Sequence, residues 1–246
     1  MRIYIVLIIL FLFADIQAQT NNIDEVYTVA PFAIIVDEDG YTNIRDDEKQ
    51  IIGKIYNNQV FAVPSYADDN NQKYKSICWQ PDIPLGERSY LERPGLIHFS
   101  RVKYLKDLPL LKRKIEGGNV IFSDEKYNIQ IRTGYLIKED HVIESKYSDF
   151  IDTIDGYEAY GIDGILPDKL VEIKEIIYSI NGKEYKIPQE YLTGYFSPTP
   201  ENMYVAISDD NTFFICMSNG DAAGAYAVVW TIKNDLIVSV ISYRDF

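Results

Sequence analysis

The sequence predicts an all-β protein, and three observations predict it. Short runs of alternating apolar and polar residues recur along the chain, separated by Asn, Asp, Gly and Pro pairs of the kind that close turns. Tyr contributes 20 residues, and with the many Ile and Val it favours pleated, half-buried surfaces. Only one short helix is expected, at residues 189–192, where Pro188 can open it because a missing N–H is harmless at a first helical position.

Taken in order, residues 33–36 form a strand that Asp39-Gly40 turns. Residues 51–56 and 59–63 are two more strands around Asn57-Asn58, a tight-turn pair. A further strand, 74–79, interrupts the polar, Pro-rich stretch 64–94. The remaining loop, 80–94, is longer than a compact barrel needs. Residues 95–104 close a first unit spanning 24–107. Residues 108–118 carry Pro109, the basic run Lys112-Arg113-Lys114 and the pair Gly117-Gly118, and read as a linker. The second unit, 119–246, alternates at 127–132 and 171–180, and Asn181-Gly182 makes a hairpin turn into 184–187. A four-strand meander follows, at 203–207, 212–218, 225–233 and 236–243. Its turns hold Asp209-Asp210-Asn211, Gly220-Asp221 and Asn234-Asp235. Many short strands punctuated in this way indicate an antiparallel β-sandwich or open β-barrel.

The N-terminus reads as an export signal. Arg2 is positive, residues 3–13 are an unbroken apolar run, Asp15 ends it, and Ala18 offers a small residue for cleavage. A bilayer-spanning helix needs roughly 20 apolar residues, so residues 1–18 are expected to be a cleaved signal peptide, with the protein acting in the periplasm or outside the cell. The chain has a net charge of −13. Losing residues 1–18 removes one charge of each sign and leaves that balance unchanged. Such an acidic surface repels phosphate backbones, which argues against nucleic acid as a partner. Cys78 and Cys216 lie in apolar, strand-like settings in different halves and are expected to be buried free thiols.

Catalytic and metal patterns are weak. Neither Cys sits in a Gly-flanked, helix-opening context beside a His, as a thiol nucleophile requires. His98 belongs to a strand and His141 stands without a motif. No spacing of His, Cys and carboxylates matches a zinc site. Asp37-Glu38-Asp39-Gly40 is similar to the start of a calcium loop but lacks the later bidentate Glu. Asp209-Asp210 and the pair Asp155 and Asp163 could serve as acid and base for glycoside cleavage, yet in so acidic a chain such pairs arise by chance. No cofactor, metal or catalytic residue is expected.

One resemblance carries further. Asp39-Gly40-Tyr41-Thr42-Asn43-Ile44-Arg45, then Ile52-Gly53-Lys54-Ile55-Tyr56 with Val60-Phe61, and finally Gly95-Leu96-Ile97-His98-Phe99-Ser100-Arg101-Val102 resemble the strands of a bacterial SH3-like (SH3b) domain, over about a third of the chain. Gly40 supplies the positive φ of a sharp turn, Arg45 offers a donor fork to pin the following loop, and Gly95 lets the chain re-enter the sheet beside another backbone. Two departures fall beside the family's groove: the acidic Asp46-Asp47-Glu48 and the long loop before Gly95. The resemblance implies a small barrel that binds cell-wall peptide or a protein segment through an aromatic-lined groove. Tyr41, Tyr56 and Trp79 are the candidate rings, with Asn43 as a polar contact. The competing reading makes Trp79 and Tyr56 core residues and Tyr41 a ring packed on a turn. The second unit resembles β-rich regions of uncharacterised secreted bacterial proteins, through residues 154–164 and 218–226, and that likeness implies no activity. The expected function is non-catalytic binding. An acidic inhibitor masking a basic secreted partner is the first alternative, and a cell-wall hydrolase with an unrecognised site is the second.

Overall fold

The structure is a computed structural model that describes residues 32–65, 73–81, 83, 86–145, 151–162, 164, 167–208, 212–219 and 224–244. The expected signal peptide lies outside the described residues. So do Asp163, Asp209-Asp210-Asn211 and Gly220-Asp221.

The fold is all-β. Its strands are β1 (Phe32–Ile34), β2 (Tyr41–Arg45), β3 (Ile51–Tyr56), β4 (Phe61–Ala62), β5 (Tyr74–Trp79), β6 (Glu87–Tyr90), β7 (Arg93–His98) and β8 (Lys103–Tyr104) in the first section. Then come β9 (Lys112–Glu116), β10 (Asn119–Ser123), β11 (Tyr127–Tyr135), β12 (Ile143–Glu144), β13 (Thr153–Ile154), β14 (Tyr157–Glu158), β15 (Val171–Ile180) and β16 (Lys183–Lys186). The closing meander is β17 (Tyr204–Ile207), β18 (Phe213–Asn219), β19 (Tyr226–Lys233) and β20 (Leu236–Tyr243). The helical turn after Pro188 is a 3-10 turn, Gln189–Tyr191.

Three large sheets form from these strands. The first, ordered β3-β2-β7-β5-β4-β1-β8, is antiparallel throughout. The second is β17-β18-β19-β20-β6, and the third is β16-β15-β11-β10-β9. A small sheet, β12-β13-β14, packs over Leu136, Leu170 and Phe196.

Side-chain alternation decides how the sheets stack. In β18, Phe213, Ile215 and Met217 face one cluster while Phe214 and Cys216 face another. β19 divides the same way, with Val228 and Trp230 on one side and Ala227 and Val229 on the other. The second sheet is therefore buried on both faces and forms the middle layer. One face packs on the third sheet through Val120, Phe122, Ile129, Ile131 and Ile176. The other packs on the first sheet through Phe32, Ile34, Val60 and Ala62. In and just after β1 and β4 the alternate residues, Ala33, Ile35, Phe61 and Val63, turn to a separate cluster with Ile44, Ile55, Ile77, Trp79 and Ile97. Strands from both ends of the first sheet supply this cluster, so the sheet wraps around it.

Several local expectations meet the structure directly. Asn181 and Gly182 have φ of 50° and 80°, the two positive values of a type I′ hairpin turn, and Ile180 pairs with Lys183 across it. Arg45 donates to the Lys49 carbonyl at 2.7 Å and pins the loop between β2 and β3. Cys78 and Cys216 lie on the face shared by the first and second sheets and are not joined in a disulfide; Cys216 is buried, which pushes its thiol up, whereas Cys78 is only half-buried.

Other segments differ. Asn57-Asn58 turns the chain without making a hairpin: β3 pairs with β2, whereas β4 pairs with β1 and β5. The expected loop 80–94 contains β6, which pairs in parallel with β20 and completes the middle sheet. The expected linker 108–118 is woven into the fold. Leu111 N–H donates to Val205 O at 3.0 Å, Ile207 N–H donates to Pro109 O at 2.9 Å, and the basic run lies in β9, an edge strand of the third sheet. Lysines on such an edge discourage pairing with another chain. The first section accordingly has its own cluster around Trp79 and also shares the interior of the C-terminal meander.

Candidate functional site

Trp79 is not available to a ligand. It is 1 % exposed, its Nε1 donates to Pro94 O at 3.3 Å, and its ring fills the space above two glycines. A Cβ at Gly53 would lie 2.2 Å from Trp79 Cη2, and one at Gly95 would lie 2.8 Å from Trp79 Nε1. Gly95 is thus needed for a close approach, by an indole ring and the Ile44 methyl as its nearest neighbours.

Tyr41, Asn43 and Tyr56 fall on one face of the β2–β3 pair. Tyr41 stands opposite Tyr56, and Asn43 opposite Lys54. The two tyrosine rings are 6.3 Å apart and tilted by 57°, and the Lys54 ammonium lies 3.7 Å from the Tyr41 ring centre. Tyr56 is 56 % exposed. The aromatic pair is therefore at the surface, partly occupied by a cation of the chain's own.

Asn43 also borders a polar groove of about 310 Å³, lined by Thr42, Asn43 and Arg45 from β2, Lys73 and Tyr74 at the start of β5, and His98, Ser100 and Arg101 at and after the end of β7.

 The groove is lined by three fixed cations, Arg45, Lys73 and Arg101, and by no carboxylate among the described residues. Arg45 is held by its bond to Lys49 O, and Arg101 pairs with the buried carboxylate of Asp37. His98 Nδ1 is 2.8 Å from Ser100 Oγ, and Tyr74 stands edge-on to the His98 ring at 5.7 Å. These contacts hold Arg45, Arg101 and the two rings in place before any ligand arrives. In a chain of net charge −13, such a lining is a local reversal of sign that favours anions. Its donors suit a carboxylate, which accepts from guanidinium, hydroxyl and amide N–H groups.

The sequence reading gave Asn43 to an aromatic-lined groove with Tyr41, Tyr56 and Trp79, singled out Arg45 only for its loop, and assigned no binding role to Lys73, Ser100 or Arg101. Each of these is ordinary by itself. The available signal was a set of basic and hydroxyl residues at the ends of β2, β5 and β7 in an otherwise acidic chain.

Of the carboxylates weighed for catalysis, Asp155 alone is among the described residues. Asp155 is tied to the small sheet: its Oδ2 is 2.7 Å from His141 Nδ1, and its Oδ1 accepts from Val142 N–H at 2.8 Å. His141 Nε2 lies 3.5 Å from Glu172, which pairs with Lys174. Burial alone would raise the Asp155 carboxyl, but the bonds from His141 and Val142 outweigh it and hold it below the usual value of 3.8. A carboxyl lowered in the folded state lends stability that is full above its unfolded value and lost as pH falls through the folded one. Asp155→Asn is therefore expected to lower the melting temperature near neutrality and to leave it unchanged in strong acid, as read by thermal melts across pH. Among the described residues no group of three or more His, Cys, Asp or Glu could hold a metal ion, and no helix is long and apolar enough to cross a membrane.

Compared with models of known protein families, with characterised proteins and with solved structures, the chain finds no match.

Proposed function

We propose that this is an exported, non-catalytic binding protein whose first section engages carboxylate-bearing segments, cell-wall peptide being the leading candidate. The observation that carries the reading is the cationic groove formed by Arg45, Lys73 and Arg101, which lacks a lining carboxylate among the described residues. Export rests on the apolar run at residues 3–13 of the sequence.

Recognition would proceed by charge and hydrogen bonding at fixed positions. A ligand carboxylate meets Arg45 and Arg101, Asn43 and Ser100 supply neutral contacts, and Tyr41 offers its ring two residues along β2 from Asn43. Charge-assisted bonds of this kind contribute about 1.5–3 kcal/mol each, so loss of one cation should weaken binding roughly tenfold or more.

The test is calorimetric titration of the purified protein with a free cell-wall stem tripeptide, L-alanyl-D-glutamyl-diaminopimelate. Binding is expected to weaken about tenfold for Lys73→Gln and to weaken further as salt is raised. Equal binding by parent and variant, or capture of basic peptides in preference to acidic ones, would contradict the reading. The second outcome would favour an acidic masking protein instead.

A further inference from the structure

The cationic groove opens where two strands of the first sheet part. β2 and β7 are joined by one pair, Arg45 with Leu96. In the same antiparallel register Asn43 would next face His98, but the ladder ends before them, and both residues line the groove.

The main chain on each side of this parting faces the gap. Along an antiparallel pair, residues that exchange bonds with the partner alternate with residues whose N–H and C=O turn the other way. Tyr56 N–H donates to Gln59 Oε1 at 3.1 Å, and Tyr56 O accepts from Gln59 N–H at 3.0 Å. Tyr56 therefore exchanges no bonds with Tyr41, which stands opposite it on β2. Two residues further along the regular register Asn43 stands opposite Lys54. The N–H and C=O of Asn43 thus turn away from β3 and toward β7 as well. On β7, Phe99 N–H donates to Lys73 O at 3.1 Å. His98, opposite Tyr74, accordingly turns its N–H away from β5 and toward β2. A strand edge whose ladder has stopped is a template for another extended chain, and Arg45, Lys73 and Arg101 stand around this one.

We propose that the groove takes its ligand as a short added strand. One ligand residue exchanges main-chain bonds with Asn43, giving its N–H to the Asn43 carbonyl and accepting from the Asn43 N–H. The carboxylate of an acidic residue in the same segment lies among the three cations. Main-chain pairing supplies affinity and the cations supply selectivity. This rests on the carboxylate reading above and narrows it: an α-linked, extended acidic segment of a protein binds more tightly than a γ-linked stem peptide, which engages the cations alone.

The experiment titrates the purified protein with N-acetyl-alanyl-glutamyl-alanine amide, with the ester analogue in which oxygen replaces the glutamyl N–H, and with the stem tripeptide. The ester is expected to bind about fivefold more weakly than the amide, and Lys73→Gln to weaken all three. Hydrogen exchange followed by NMR gives a second readout that needs no variant. In the free protein the Asn43 amide should exchange faster than those of Thr42 and Ile55, which the same alternation makes a bonded pair. It should slow about tenfold once about nine-tenths of the protein carries the amide peptide. Equal binding of amide and ester with an unprotected Asn43 would overturn the added strand, and a parallel loss in Lys73→Gln would leave the carboxylate reading standing. Binding of the stem tripeptide without the acetylated peptide would also overturn the added strand alone. Failure of all three ligands to bind would overturn both.

Discussion

Trp79→Ala is expected to destabilise the protein by about 3–5 kcal/mol, the usual cost of removing a large buried aromatic. For a chain of this size that lowers the melting temperature by roughly 6–20 °C. The ring is 1 % exposed and sits over Gly53 and Gly95, so its loss leaves a cavity that the strands around it cannot close. The reverse change, Gly53→Ala, forces a Cβ to within 2.2 Å of that ring and should also destabilise by overpacking. Thermal melts followed by circular dichroism check both. Tyr41→Ala removes a ring from the surface side of β2 and should leave the melt nearly unchanged. A Trp79→Ala protein that melts with the parent would place the indole outside the core.

Phe214→Ala should cost a similar amount, about 3–5 kcal/mol, and its effect should reach both halves. Phe214 is fully buried between the middle sheet and the first sheet, in the cluster that includes Phe32, Ile34, Val229 and Ile241. The chain has two tryptophans, and they fall in different clusters: Trp79 in the first sheet's own interior and Trp230 between the second and third sheets. Single-tryptophan proteins, Trp79→Phe and Trp230→Phe, therefore report on each interior separately. Their fluorescence melts are expected to coincide and, with Phe214→Ala added, to shift down together. Two separated transitions, only one of them moved by Phe214→Ala, would show that the halves unfold independently.

The β class and most strands were legible because the signals are local. Asn181-Gly182 specifies its hairpin whatever surrounds it, and the meander strands β17 to β20 match four apolar runs. What links distant parts was not legible. β6 is a polar tetrapeptide, Glu87–Tyr90, whose partner β20 ends the chain, and nothing in either segment announces the other. The linker expectation failed for a related reason: Lys112-Arg113-Lys114 reads as solvated, which is true of an edge strand as well as of a linker. One clue to the layering was present. Residues 32–35 and 60–63 are apolar at every position, as strands buried on both faces are. For the site, the resemblance drew attention to aromatic rings, and Trp79 proved to be core. The cationic groove draws on residues 42–45, 73–74 and 98–101, so its charge appears only when the chain brings those strand ends together.

The central claim is that carboxylates dock among Arg45, Lys73 and Arg101. Amide chemical-shift mapping of the isotope-labelled protein, titrated with the stem tripeptide, tests it most directly. Saturable shifts are expected at residues 42–45, 73–74 and 98–101, and about tenfold more peptide should be needed to saturate them in Lys73→Gln. Shifts confined to other surfaces, or no shifts at concentrations where the peptide is in large excess, would contradict it.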